Sequence, residues 1–124
     1  MPRILIAGLL GASFLLPTLA AEGDVEIDEN KIYYGDADDF EKAGVIKIVK
    51  VFKAIPEYVQ AQKKGKDDPQ YYILLEKANQ KFSSALEKVA GEKGYDLIGE
   101  AGSIKIKGKK VPDITSLVIK ALKD

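Results

Sequence analysis

Apolar residues recur at helical spacing in the middle of the chain, between Pro69 and Gly91. They stand four, three, four, three and four residues apart, which is the pattern of a heptad seam: Tyr71, Leu75, Ala78, Phe82, Ala85 and Val89. The pattern lasts about two and a half heptads, whereas an autonomous coiled coil normally needs about three to four. It therefore predicts one helix that packs on neighbouring elements and whose seam is a candidate surface for assembly.

A second helical pattern precedes this helix and predicts a helical hairpin. Apolar positions within 52–61 fall near helical spacing, and Pro56 either kinks that helix or occupies the first turn of a new one. Lysines around a glycine in the segment 63–67 favour a helix C-terminus, because cations stabilise that end of the helix dipole. Asp68 is placed to cap the second arm of the hairpin.

Short apolar runs on both sides of the hairpin predict strands. Residues 31–34 are expected to form a short strand that ends in a turn, and residues 45–49 a buried strand, with helix as the alternative for the second run. Residues 95–98 and 103–107 predict two more strands, which we expect to lie side by side in one sheet. Residues 38–41 are placed to start a single helical turn.

A final amphipathic helix is predicted near the end of the chain. Asp113 is placed to cap it, and five apolar residues fall on one side: Ile114, Leu117, Val118, Ala121 and Leu122. The coarse order of elements is strand, helical hairpin, two strands and helix. This order predicts an α+β domain, with a small β-sheet, a short helical hairpin and a C-terminal helix.

The first twenty residues have the order of a secretory signal peptide. Arg3 precedes an apolar run of 13 residues, Ile4 to Leu16, and small residues then suit cleavage after Ala20. A membrane-spanning helix needs about 20 apolar residues, so the run favours export, with an uncleaved anchor as the alternative. The chain is expected to divide into a signal peptide at 1–20, a flexible acidic leader at 21–30 and a single α+β domain at 31–124.

Charge and composition reduce the number of function classes that fit the chain. Without residues 1–20 the chain has 18 basic and 19 acidic residues, a formal net charge of −1, so no field of one sign attracts nucleic acid. The chain has no cysteine and no histidine, the residues that most often serve as nucleophile, base or transition-metal ligand. We therefore expect no enzymatic activity, no cofactor, no metal centre and no stable membrane insertion after signal cleavage.

Three groups of side chains are candidates for binding. An acidic group could take a hard cation, although it lacks the spacing of a calcium loop and its members also suit helix caps: Asp36, Asp38, Asp39 and Glu41. Two lysine groups could attract an acidic partner or lipid head groups, or stabilise a helix end and protect an edge strand: Lys63, Lys64, Lys66, and Lys105, Lys107, Lys109, Lys110. Two tyrosine pairs could line a peptide groove, but one member of each is expected in the core and the other at its rim: Tyr33 and Tyr34, Tyr71 and Tyr72.

Stretches on either side of the hairpin resemble the Skp/OmpH family of periplasmic chaperones. Residues 45–58 read VIKIVKVFKAIPEY and resemble the strand and helix start that open the family's domain. Residues 86–98, with LEKVA before GYDLI, and residues 113–115, which open the last helix, resemble its C-terminal half. The predicted export signal agrees with the family's compartment, the periplasm.

The resemblance implies an oligomer as well as a fold. Family members join the two matching halves through long paired helices, which in a trimer surround a cavity that holds unfolded outer-membrane proteins. Here fewer than thirty residues separate Tyr58 from Leu86. An arm of about 20 residues reaches only about 30 Å, too short to enclose a client. The resemblance therefore implies the family's body domain with shortened arms.

The function that this resemblance implies is that of a non-enzymatic, chaperone-like or protein-binding domain in cell-envelope biogenesis. Its partner would be an unfolded client or another protein, its location the periplasm, and its oligomer a trimer if it assembles as the family does. The alternative is a structural or adaptor subunit that assembles through its helical hairpin. The heptad seam is the candidate surface for that alternative.

Overall fold

The structure, a computed structural model, describes residues 24–123, and the predicted signal peptide at 1–20 lies outside the described residues. The described elements are, in chain order, β1 Val25–Ile27, β2 Ile32–Gly35, β3 Ala43–Ile46, α1 Ile48–Lys53, α2 Pro56–Lys64, α3 Gln70–Lys93, β4 Leu97–Glu100, β5 Ile104–Ile106 and α4 Thr115–Leu122. A 3-10 turn at Glu29–Lys31 separates β1 from β2. Small sheets and helices alternate along the chain, which confirms the predicted α+β class.

The strands form two small sheets. One sheet has the order β2-β4-β3, in which β4 runs antiparallel to β2 and parallel to β3. The other pairs β1 with β5, antiparallel. The prediction that 95–98 and 103–107 lie side by side is therefore wrong. Both edges of the central strand β4 are already occupied by β2 and β3, so β5 turns away and pairs with β1 instead.

Part of the predicted flexible leader is structured, which corrects the prediction for 21–30. Val25 lies opposite Ile106 and Ile27 opposite Ile104, and the exposed Glu26 lies opposite Lys105. Ile27 packs on a small apolar cluster beneath the strands. The leader is acidic overall, but its alternation of apolar and polar residues over 25–27 suits a half-buried strand.

Residues 45–49 begin as a strand and continue as a helix, which are the two alternatives predicted from their sequence. β3 ends at Ile46 and α1 begins at Ile48 after its N-cap Lys47, so the predicted strand is confirmed for residues 45 and 46 and is wrong for the last three. Pro56 opens the new helix α2 rather than kinking a longer one. The helical turn predicted at 38–41 is also wrong, because the Asp36 side chain accepts a hydrogen bond from the backbone N–H of residue 38 and forms a turn.

The helical hairpin is confirmed, with α2 packed along α3. The Asp68 side chain accepts a hydrogen bond from the Gln70 N–H at 2.8 Å, one residue before the N-cap position, which Pro69 occupies. Gly91 and Gly94 are the two glycines predicted to close the second arm; it ends at Gly94, whose φ of 80° is left-handed, and Gly91 lies inside the helix. Glycine adopts this backbone conformation without the steric cost that other residues meet.

The main core lies where the second half of α3 meets α1, α4 and the three-stranded sheet. Its buried members are Ile46, Val51, Ile55, Ala78, Phe82, Ala85, Leu86, Val89, Ile98, Ile114 and Val118. The beginning of α3 packs through a separate small cluster of Ala61, Tyr71 and Leu74, with Leu75 against it. The members of this cluster come from α2 and α3 alone. The outer half of the hairpin, that is α2 and the beginning of α3, is therefore stabilised by its own two helices.

Candidate functional site

The predicted assembly seam faces the interior of the chain. Five of its six residues are buried, and Leu75 is only half-buried, while its neighbour Leu74 is buried at 8% exposure. An α-helix has 3.6 residues per turn, so its buried face drifts away from a strict heptad and takes in residue 74. The seam residues are therefore covered by packing within one chain. While α2 and α3 are packed together, a partner that binds the hairpin must contact a face other than the seam.

Tyr72 and Ile73 give the outer half of the hairpin an exposed apolar surface. Tyr72 is 64% exposed and Ile73 46% exposed, and Val49 is the only other large apolar residue among residues 24–123 that is exposed. The buried Tyr71 contacts Tyr72 edge to face, with ring centroids 4.9 Å apart, so this pair has the predicted core and rim members. We call Tyr72 and Ile73 the hairpin patch.

Of the hairpin patch, the sequence indicated Tyr72 as a candidate for a peptide groove but not Ile73, although a signal is present there. Five apolar residues stand in a row at the start of α3, in the order YYILL at 71–75. A two-helix hairpin buries only one face of each helix, so such a run must leave some apolar side chains in water. Exposed lysines of the first lysine group lie at the turn of the same hairpin, at positions 63, 64 and 66.

The other tyrosine pair departs from the prediction. Tyr33 and Tyr34 are both half-buried against the main core, because the pairing of β2 with β4 shifts register between residues 32 and 34. Such an irregularity turns consecutive side chains away from strict alternation. Tyr33 begins a row of aromatic rings with centroid separations of 5.8 Å to Phe82, 5.0 Å from Phe82 to Phe52 and 5.3 Å from Phe52 to Tyr58.

Side chains from distant parts of the chain hold the start of α1. The Lys47 N–H donates to the Thr115 hydroxyl oxygen at 2.9 Å, and the Ile48 N–H donates to Glu100 Oε1 at 3.1 Å. The Tyr33 hydroxyl donates to the same Glu100 oxygen at 3.0 Å. Because the first N–H groups of a helix lack partners within it, these contacts replace a local cap. We call this arrangement the α1 junction.

The electrostatics of the α1 junction are those of a structural contact. Burial and the Glu100 carboxylate together raise the pKa of Tyr33 to about 12, so its hydroxyl stays protonated as a donor at neutral pH. Hydrogen bonds from the Thr115 hydroxyl and N–H hold the pKa of Asp113 below its ordinary value, with Lys47 and Lys50 nearby. Neither group is poised to exchange a proton near pH 7.

The raised pKa of Tyr33 predicts a late step in the alkaline titration. Its ionisation in the folded chain is expected near pH 12, two units above the ordinary tyrosine value of 10.0, so the stability it contributes is complete below pH 10 and is lost between about 10 and 12. Ultraviolet absorbance of phenolate should show one tyrosine that titrates late, and Tyr33→Phe should remove that step. Tyr72→Phe, at an exposed position, is the matched control. A late step that persists in Tyr33→Phe would contradict the assignment.

The remaining candidate groups lie at the surface. The acidic group follows β2, where Asp36, Asp38, Asp39 and Glu41 are exposed, and no cluster of three or more metal-ligating side chains occurs among residues 24–123. The second lysine group is exposed on and after β5. In the first lysine group, Lys64 lies 4.0 Å from the carboxylate of Asp68. The hairpin patch is therefore the candidate site that the geometry favours.

Comparison with known proteins adds no relative, since no family model, no curated protein and no solved structure matches the chain. Within residues 24–123, no helix combines the length and the apolar character that a membrane span requires. The function is therefore inferred from the hairpin and from the residues that position it.

Proposed function

We propose that this chain is a non-enzymatic periplasmic protein of chaperone type that binds unfolded polypeptide on its helical hairpin. The observation that carries the proposal is the hairpin patch, Tyr72 at 64% and Ile73 at 46% exposure, on the half of the hairpin that packs outside the main core. Removing apolar side chains from water is favourable, so a complex in which a partner covers them is stabilised by the free energy of that burial. An apolar segment of an unfolded protein is such a partner.

Two further features support this proposal. The hairpin turn carries three exposed lysines, 63, 64 and 66, against Asp67 and Asp68, so its net charge of +1 slightly favours clients with acidic segments. The sequence resemblance to the Skp/OmpH family and the predicted signal peptide favour a periplasmic client, such as an outer-membrane protein before insertion. The hairpin is short, with 24 residues in α3 and a rise of about 1.5 Å per residue, so a client would be held on its surface and not enclosed.

An aggregation assay with the exported form of the chain tests the proposal. A urea-unfolded outer-membrane barrel protein is diluted into buffer, and its light scattering is followed with increasing amounts of the chain. We expect suppression at near-stoichiometric ratios. Tyr72→Ser combined with Ile73→Ser should require at least about tenfold more protein, because the covered apolar area is lost. If the double variant suppresses scattering as well as the parent, or if the parent never suppresses it, the proposal is wrong.

Val49→Ser is the matched control for the double variant. Val49 is 62% exposed but lies on α1, outside the hairpin, so this change removes exposed apolar area without touching the patch. It should leave suppression unchanged. Light scattering of the chain alone gives its mass in solution. A mass that falls in the double variant, with no effect on the client, would favour the structural or adaptor alternative.

A further inference from the structure

Helix α2 packs along α3 but contributes few buried side chains. Of its nine residues only Ala61 is buried, where it packs on Tyr71 and Leu74. Its other contacts lie at the rim of the main core, with half-buried Tyr58 edge to face on Phe52 and an ion pair of 2.7 Å between Glu57 and Lys81. The side chains of that pair are 22% and 50% exposed, and ion pairs so close to water contribute little. Short helices are also marginal without tertiary support.

The chain on both sides of α2 limits how far a detachment would spread. Ile55, immediately before α2, is 1% exposed and belongs to the main core. Gly65, immediately after α2, has a left-handed φ of 84° and open space around it. The second half of α3 is held independently by α4 and by the sheet-facing core residues Phe82, Leu86 and Val89. Loss of α2 would therefore leave the body of the domain in place.

We infer that α2 is a displaceable cover, which detaches from α3 as a unit while the rest of the domain stays folded. Its detachment uncovers Tyr71 and Leu74 and, together with the exposed Tyr72 and Ile73, leaves one whole turn of α3 apolar on all sides. An unfolded client binds that apolar turn in place of α2. Binding of a client in place of α2, which we call the client half of this inference, rests on the proposed function. The detachment of α2 does not. Elements with few buried contacts are those that open below global unfolding.

Thiol labelling of two single-cysteine variants tests the detachment in the full exported chain, which has no cysteine of its own. Ala61→Cys reports on α2, and Ala85→Cys on the body. Both alanines lie in helices and are 0% and 2% exposed, so the two variants are matched. We expect Ala61→Cys to react at least about 100-fold faster, at a rate that low urea hardly changes, and Ala85→Cys to react only through global unfolding. Equal labelling rates with equal urea dependence would overturn the inference.

A second measurement covers the case in which either variant fails to fold. Amide hydrogen exchange of the unsubstituted chain compares residues 58–64 with residues 85–90, and the α2 amides should exchange together and earlier. Exchange of α2 amides only through global unfolding would overturn the detachment.

The client half is tested by labelling Ala61→Cys in the presence of a urea-unfolded outer-membrane barrel protein. We expect labelling to accelerate as the complex saturates, because the client takes the place of α2, while Ala85→Cys is unaffected. A complex that leaves Ala61→Cys unchanged overturns the client half and leaves the proposed function intact. If no complex forms, the proposed function and the client half fail together, and labelling without client still decides the detachment.

Discussion

Truncation of Phe82 to alanine is expected to reduce the free energy of unfolding by about 3–5 kcal/mol, the usual range for a buried phenylalanine. Phe82 is 8% exposed and contacts Phe52 on one side and Tyr33 on the other, at the point where α1, α3 and the sheet meet. Removal of the Phe82 ring leaves a cavity, because the close-packed elements around it cannot move in to fill it. Since small domains are stable by only about 5–15 kcal/mol, a large share of the stability would be lost.

Urea denaturation followed by circular dichroism measures this effect. Ile73→Ala is the matched control, since it truncates an apolar residue on the same helix at a position that is 46% exposed. It should change the free energy of unfolding by no more than about 0.5 kcal/mol. A Phe82→Ala variant as stable as Ile73→Ala would show that the aromatic row is not the centre of the core.

Replacement of Gly35 by alanine is expected to lower the free energy of unfolding by about 3 kcal/mol or more, near the upper end for single substitutions. Gly35 has a φ of 94°, and an added Cβ would lie 2.0 Å from the carbonyl oxygen of Asp96. That oxygen belongs to the backbone just before β4, so it cannot move aside as a side chain could. Two costs add at this position, the backbone strain of alanine in a left-handed conformation and the overlap with a fixed atom.

Gly108→Ala separates these two costs. Gly108 also has a positive φ, 77°, but no atom lies within 4 Å of an added Cβ. Its substitution should cost about 1 kcal/mol, the conformational part alone. The difference between the two variants in a thermal or urea transition then measures the close approach of β2 to the residue before β4. Equal losses in the two variants would mean that the backbone relaxes around position 35.

Much of the α-helical part of the fold follows from local sequence. The hairpin, its turn and the final helix are encoded by periodic apolar positions with glycine, proline and aspartate at their ends, and short-range hydrogen bonds then place the boundaries. Asp68 and Asp113 each accept a hydrogen bond from the N–H two residues on, although both lie one residue before the N-cap of their helix. The same local rules predicted the strand at 31–34, which the structure shows at 32–35, but not the point within 45–49 at which strand changes to helix.

Contacts between distant residues decide which strands pair and which helix faces are covered. The pairing of β1 with β5 joins residues about eighty positions apart, and Tyr33 donates to Glu100 across 67 positions. No local pattern specifies such partners, because many short apolar strands satisfy the same alternation. The heptad seam illustrates the limit most directly. The sequence determined that α3 has an apolar stripe, but only the tertiary structure decided that α2 covers its beginning and that α1, α4 and the sheet cover the rest, while Tyr72 and Ile73, on other faces of the helix, remain in water.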